Sequence, residues 1–139
     1  MDDERARLDA AYRATTYRVA APGGPLDLRV GTPEPALEAL LDALGVRSWA
    51  FVSAANPRSR PAAPADNERA HAALLARVRA QGWQALEGVG LPAAGWTPER
   101  SLFIAGITRA QALELGRQFG QNAILWGASG GPAELAWLT

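Results

Sequence analysis

Between residues 48 and 126, apolar runs and helical stripes follow one another in the order strand, helix, strand, strand, helix, strand. This is the split βαβ order of ferredoxin-like folds, which the flanking hairpins can extend in several ways. Residues 48–54 carry Trp49 and Phe51 on one side and Val52 and Ala54 on the other. A strand apolar on both faces belongs at the centre of a sheet. Residues 66–81 form the clearest helix, with Leu74, Leu75 and Val78 as its buried stripe and Gly82 as its stop. Strands are predicted over 83–89 and 101–105. Thr108 and Gln111 have the spacing of a capping box, and the helix they open turns Ala112, Leu115 and Phe119 inward before Gly120. Residues 122–126 close the pattern.

The flanks read as additions to this core. Residues 2–14 have helical spacing. Residues 15–19 and 26–30 read as strands, and Pro22-Gly23-Gly24-Pro25 between them signals a hairpin turn. Thr32-Pro33-Glu34 reads as a helix start, with Thr32 as cap, ahead of Leu37, Leu40, Leu41 and Leu44. A last strand is expected over 134–138, after a glycine-rich segment, 127–131. That segment joins two strands and lacks the lysine and following helix of a phosphate loop, so it reads as a hairpin loop. The expected fold class is therefore α/β (α+β): one domain over 1–139, with a mixed, mainly antiparallel sheet, a ferredoxin-like centre and helices on one face. Strands 26–30 and 134–138 are the candidate sheet edges.

In a split βαβ sheet, the exit of the strand at 48–54 shares an end with the entrances of the strands at 101–105 and 122–126. Asn56, Arg58 and Ser59 then meet Glu99, Gln121 and Asn122 there, and the helix carrying Asn67 and His71 starts at the same end. Such a mouth is a common binding position in α/β proteins. Each residue also has a plain structural reading. Asn56-Pro57 terminates a strand as readily as it walls a cleft. Arg58 is either a solvated side chain or a two-pronged clamp for an anion. Asp66 suits an N-cap. His71 suits a helix face, yet lies one turn from Asn67 and can serve acid–base chemistry. Glu99 is the leading carboxylate base. Gln121 and Asn122 either satisfy backbone groups after Gly120 or read a ligand. Trp96, in a Gly/Pro loop, is the tryptophan expected to meet a ligand, whereas Trp49, Trp83, Trp126 and Trp137 are expected in the core.

Composition narrows the chemistry. There is no cysteine and one histidine, which excludes disulfides, thiolate nucleophiles and multi-histidine metal centres. No metal and no cofactor are implied. All 14 basic residues are arginine and balance 14 acidic ones, so a nucleic-acid partner is disfavoured. No apolar run is long enough to cross a bilayer, and the charged start is unlike a secretory signal, so a cytoplasmic location is expected. Homo-oligomerisation stays open.

As a set, Tyr12-Arg13-Ala14-Thr15-Thr16-Tyr17, Asn56-Pro57-Arg58-Ser59, Asn67, Trp96 with Glu99, and Phe119-Gly120-Gln121-Asn122-Ala123 resemble a bacterial family known as domain of unknown function 3293. The resemblance spans nearly the whole chain and implies no activity, cofactor or catalytic residue. Function is therefore expected from the residues themselves. The leading expectation is binding, with or without turnover, of a small polar or anionic metabolite such as a nucleotide or phosphate ester at the shared sheet end. The alternative is a non-catalytic interaction or regulatory module acting through an exposed sheet edge or an apolar patch.

Overall fold

The computed structural model describes residues 2–93 and 97–138. Helix α1 (Asp3–Ala14) is capped by Asp2, whose carboxylate accepts the Arg5 N–H, and it leads into the hairpin of β1 (Thr16–Ala21) and β2 (Gly24–Leu28). Helix α2 (Pro35–Leu44) and strand β3 (Ser48–Ser53) follow. A single 3-10 turn (Pro57–Ser59) then precedes helix α3 (Pro64–Ala80). Strands β4 (Gln84–Leu91) and β5 (Glu99–Ala105), helix α4 (Arg109–Gln118), and strands β6 (Ala123–Ala128) and β7 (Glu134–Trp137) complete the order.

The seven strands form one antiparallel sheet in the order β2-β1-β4-β5-β3-β6-β7. Its inner four strands, β4-β5-β3-β6, have the ferredoxin-like arrangement that the strand–helix order predicts. The β1–β2 hairpin extends it on one side and β7 on the other. Ser53 at the end of β3 pairs with Ser101 at the start of β5, so the strand ends predicted to share one end of the sheet do share it.

Helices cover both faces, not one. Leu74 and Val78 of α3 and Ala112 and Leu115 of α4 pack on Ala50, Val52, Leu102 and Ile104. On the opposite face, Leu37, Leu40 and Leu41 of α2 pack on Trp49, Phe51, Phe103 and Leu125. Helix α1 lies on this second face too, its Tyr12 ring 5.6 Å from that of Trp137 and its Asp9 accepting the Trp137 indole N–H. The cause is in β3 and β5: their large side chains alternate, so each face presents apolar surface that must leave water.

Local corrections have local causes. Glu34, not Thr32, caps α2, its carboxylate accepting the Ala36 N–H with Pro35 in the first turn. Helix α3 starts at Pro64 after Ala63, so Asp66 sits inside the first turn and is not the cap. Proline suits the first helical position, so Pro64 opens the helix. The β1–β2 turn shrinks to Pro22-Gly23, and Gly127 and Ala128 belong to β6, not to a loop. Of the four tryptophans expected in the core, Trp49 is fully buried, while Trp83, Trp126 and Trp137 are half-buried. Both strands expected at the edges are edges. Pro25 in β2 removes a ladder donor, and Arg18 of β1 holds the outward Asp27 through two hydrogen bonds of 2.8 and 3.1 Å, features that discourage edge pairing. No helix among the described residues is long and apolar enough to cross a membrane.

Candidate functional site

At the shared sheet end, β3 runs into Ala54-Ala55 and then into an unusual turn. Asn56, Arg58 and Ser59 have φ of 45°, 59° and 59°, and they are the described non-glycine residues in the left-handed region. Such conformations cost free energy and persist only where surrounding contacts hold them. Two sets of contacts do so here. The Arg58 N–H donates to the Gly120 carbonyl at 2.8 Å, docking the turn on the end of α4. Gly120 itself has φ +67°, and a Cβ there would lie 3.1 Å from Pro57 Cβ, so glycine allows the close approach.

The second set is a polar network centred on Asn56. Its backbone N–H donates to Asn67 Oδ1 at 2.9 Å. Its Oδ1 accepts from Asn67 Nδ2 at 2.9 Å and from the Ala62 N–H at 3.0 Å. Its Nδ2 donates to Glu99 Oε2 at 2.8 Å. One amide thus joins the strand exit, the first turns of α3 and the start of β5. Beside it, Ser59 Oγ accepts from Asn122 Nδ2 at 2.9 Å and shares a 2.7 Å hydrogen bond with the Tyr12 hydroxyl, which ties in α1 and the residue before β6. Tyr17 donates its hydroxyl to the Tyr12 carbonyl. Gln121 is buried, and its amide N–H groups donate to the Ala55 and Phe119 carbonyls.

These residues border a cavity of about 560 Å³ between the sheet, α1 and the strained turn. Asn56, Ser59, Asn67, Glu99 and Gln121 line it. Its apolar floor comes from the α2 face of the sheet, with Tyr17, Phe51 and Leu125. Tyr17 and Phe51 meet edge to face, their ring centroids 5.4 Å apart. Gly88 makes room for that floor: a Cβ there would lie 2.6 Å from the Phe51 ring.

Burial pushes the Glu99 carboxyl above the ordinary carboxylate range, against the opposing effect of the Asn56 hydrogen bond. Tyr17 is also pushed upward, chiefly by burial. A half-buried carboxyl with raised proton affinity in a cleft suits both hydrogen bonding to a ligand and proton transfer. The same shift bears on stability. A carboxyl whose folded-state value is raised stabilises the fold below the unfolded carboxylate range, and that contribution is lost as pH rises through the folded value. Glu99→Gln keeps an acceptor for Asn56 and removes the half-buried charge. We therefore expect Glu99→Gln to melt a few degrees above the parent at pH 7, with the difference shrinking towards pH 4. Melting curves across that range check this; a difference that does not change with pH sinks it.

Not every predicted site residue arrives. Arg58 is exposed and is not among the residues that line the cavity. His71 is buried on the α3 face of the sheet, not the α2 face that forms the cavity floor. Its Nε2 sits 3.0 Å from Glu87 Oε1. Burial raises the proton affinity of Glu87, but hydrogen bonds from His71 and Arg100 outweigh it and hold the carboxyl below its usual range. Asn122 reaches the site through Ser59. Trp96 lies outside the described residues. Tyr12, Tyr17, Ser53 and Arg100 also line the cavity, and sequence reasoning misses all four as site residues. Only the two tyrosines carry a signal, as ends of the Tyr-x-x-Thr-x-Tyr segment. Among the described residues, no three His, Asp or Glu side chains gather as a metal site would require.

A family model described as "Protein of unknown function (DUF3293)" matches residues 52–124, just over half of the chain. The matched segment holds Asn56, Ser59, Asn67, Glu99, Gln121 and Asn122, while Tyr12 and Tyr17 lie before it. No curated protein and no solved structure matches the chain.

Proposed function

Because the chain belongs to the DUF3293 family, whose description names no activity, we propose a function from the site alone: the cavity beside Asn56 binds a small polar metabolite, with Glu99 as its principal polar contact. The observation that carries this reading is the position of Glu99. Asn56 fixes one carboxylate oxygen at 2.8 Å, and the group faces a cavity of ligand size above an aromatic floor. A carboxyl with raised proton affinity in that setting can accept a hydrogen bond or move a proton, so turnover is within its chemistry. Asn67 and Ser59 hold the wall, and Gln121 holds the strand exit through the Ala55 carbonyl.

The phosphate-ester version of the reading has less support. It needs Arg58, which is outside the cavity lining. Arg100 does line the cavity, but it is paired with Glu68 and Glu87 at 2.6 and 3.0 Å. The interaction-module alternative draws some support from the mutual hydrogen bonding of Asn56 and Asn67, which uses much of their polar capacity within the fold.

A blocked cavity tests the main reading. Ala123 lines the cavity and is half-buried, so Ala123→Phe places a ring there. A panel of amines, amides, nucleosides and sugar phosphates is screened by thermal shift against both proteins. A compound that raises the melting temperature of the parent and not of a folded Ala123→Phe protein is the expected result. Equal shifts in both proteins, or no shift with any compound, would count against the cavity as the ligand site.

A further inference from the structure

Taking the cavity as the ligand site proposed above, its charges restrict what it can hold. The charged residues lining it, among the described residues, are Glu68, Glu99 and Arg100. Arg100 donates from Nη1 to Glu68 and from Nε to Glu87, so its charge is matched by two carboxylates. Glu99 has no cation within ion-pair distance among the described residues, and its one described hydrogen bond comes from a neutral amide, Asn56. A half-buried carboxylate without a counter-charge is partly desolvated at a cost, and a ligand carrying the opposite charge recovers that cost on binding. An anion would add a second negative charge against the first, and no unpaired cation lines the described cavity to offset it. The rest of the lining agrees. The rings of Tyr12, Tyr17 and Phe51 border the same space, and aromatic faces attract organic cations.

We propose that the cavity accepts an organic cation, with an ammonium or amidinium head paired to Glu99 and an apolar body against Tyr17 and Phe51. Asn56 acts as a positioning residue: by holding Oε2 it leaves Oε1, which has no partner among the described residues, for the head group.

Benzamidine, benzamide and benzoate share a ring and differ in the charge of a planar head. Each is titrated into the full chain at pH 7 and followed by calorimetry and amide chemical shifts, with the parent, Glu99→Gln and Ala123→Phe proteins. Benzamidine is expected to bind about tenfold or more tighter than benzamide, with benzoate weakest, and Glu99→Gln should remove that order. Benzamidine affinity should also fall on acidification, as Glu99 takes up its proton. Benzoate binding as tightly as benzamidine, a benzamidine preference unchanged in Glu99→Gln, or no benzamidine binding would each overturn the proposal. Failure of the cavity reading has a separate signature. If all three rings bind alike and Ala123→Phe abolishes binding, the cavity stands and the charge preference falls. If benzamidine binding survives in Ala123→Phe, the cavity itself is the wrong site.

Discussion

Asn56→Ala is expected to lose about 3 kcal/mol of stability, a large share of the total for a domain of this size. Five hydrogen bonds meet at this residue, three of them through the side chain. Truncation strands the Ala62 N–H, the Asn67 amide and one Glu99 oxygen in partly buried surroundings, at about 1 kcal/mol or more each. Alanine must also hold a φ of 45°, which asparagine tolerates and alanine resists. A lower urea midpoint with an unchanged slope is the expected signature. Asn56→Asp separates the network from simple loss of bulk. It keeps the acceptor for Ala62 and Asn67 but sets a carboxylate 2.8 Å from where Glu99 already sits. Two carboxylates at that distance share one proton. The Asp variant should therefore be strongly destabilised at pH 7 and recover towards pH 4, whereas the Ala variant should be impaired at both. An Asn56→Ala protein as stable as the parent would mean that the turn is held without the Asn56 side chain, by the Arg58–Gly120 bond and the contacts of Ser59.

What the sequence disclosed and what it concealed have different ranges. The β3-to-β6 core was legible because its signals are short-range: alternation in the strands, the Thr108–Gln111 capping box, and glycines at helix ends. Once that order is granted, Asn56, Asn67, Glu99 and Gln121 meet by topology, with no knowledge of side-chain conformation. The missed features are set by long-range packing or by dihedral angles. The leucine stripe of α2 predicts a helix but is silent on which face of the sheet it covers. Tyr17 enters the cavity because β1 pairs with β4, and Tyr12 because α1 packs against Trp137 and Ser59, partnerships between distant segments. Arg58 is placed at the cleft by its position after β3, whereas the turn it sits in has three positive φ values in four residues and the cavity is lined without it. His71 has a helical position consistent with the cleft, yet Glu87 across the α3 face claims its ring. The charge of the cavity was equally hidden, since it depends on Arg100 turning to Glu68 and Glu87 and away from Glu99.

Gly127→Ala should cost about 2–3 kcal/mol, although alanine in a strand is ordinarily the better residue. Gly127 lies opposite Trp49 in the β3–β6 register. A Cβ at Gly127 would stand 2.5 Å from Trp49 Nε1, 2.7 Å from Cε2 and 2.9 Å from Cζ2. The indole cannot retreat. Trp49 is fully buried and stacks on Phe103 with ring centroids 5.6 Å apart and planes 13° from parallel. Its Nε1 also has no hydrogen-bond partner among the described residues, so the ring is held by packing alone. Overpacking of such a site displaces rings or backbone at about 1–3 kcal/mol. Relief of chain entropy through loss of glycine returns under about 1 kcal/mol, so the clash wins. Gly131 is the matched control, because a Cβ there would meet only the Ala128 carbonyl, at 3.5 Å, and Gly131→Ala should change stability by less than about 0.5 kcal/mol. A double-mutant cycle locates the cause. In a Trp49→Phe background, the smaller ring leaves room, and Gly127→Ala should lose at least about 1 kcal/mol of its effect. If Gly127→Ala costs as much beside phenylalanine as beside tryptophan, the strand tolerates no side chain there for a reason other than the indole.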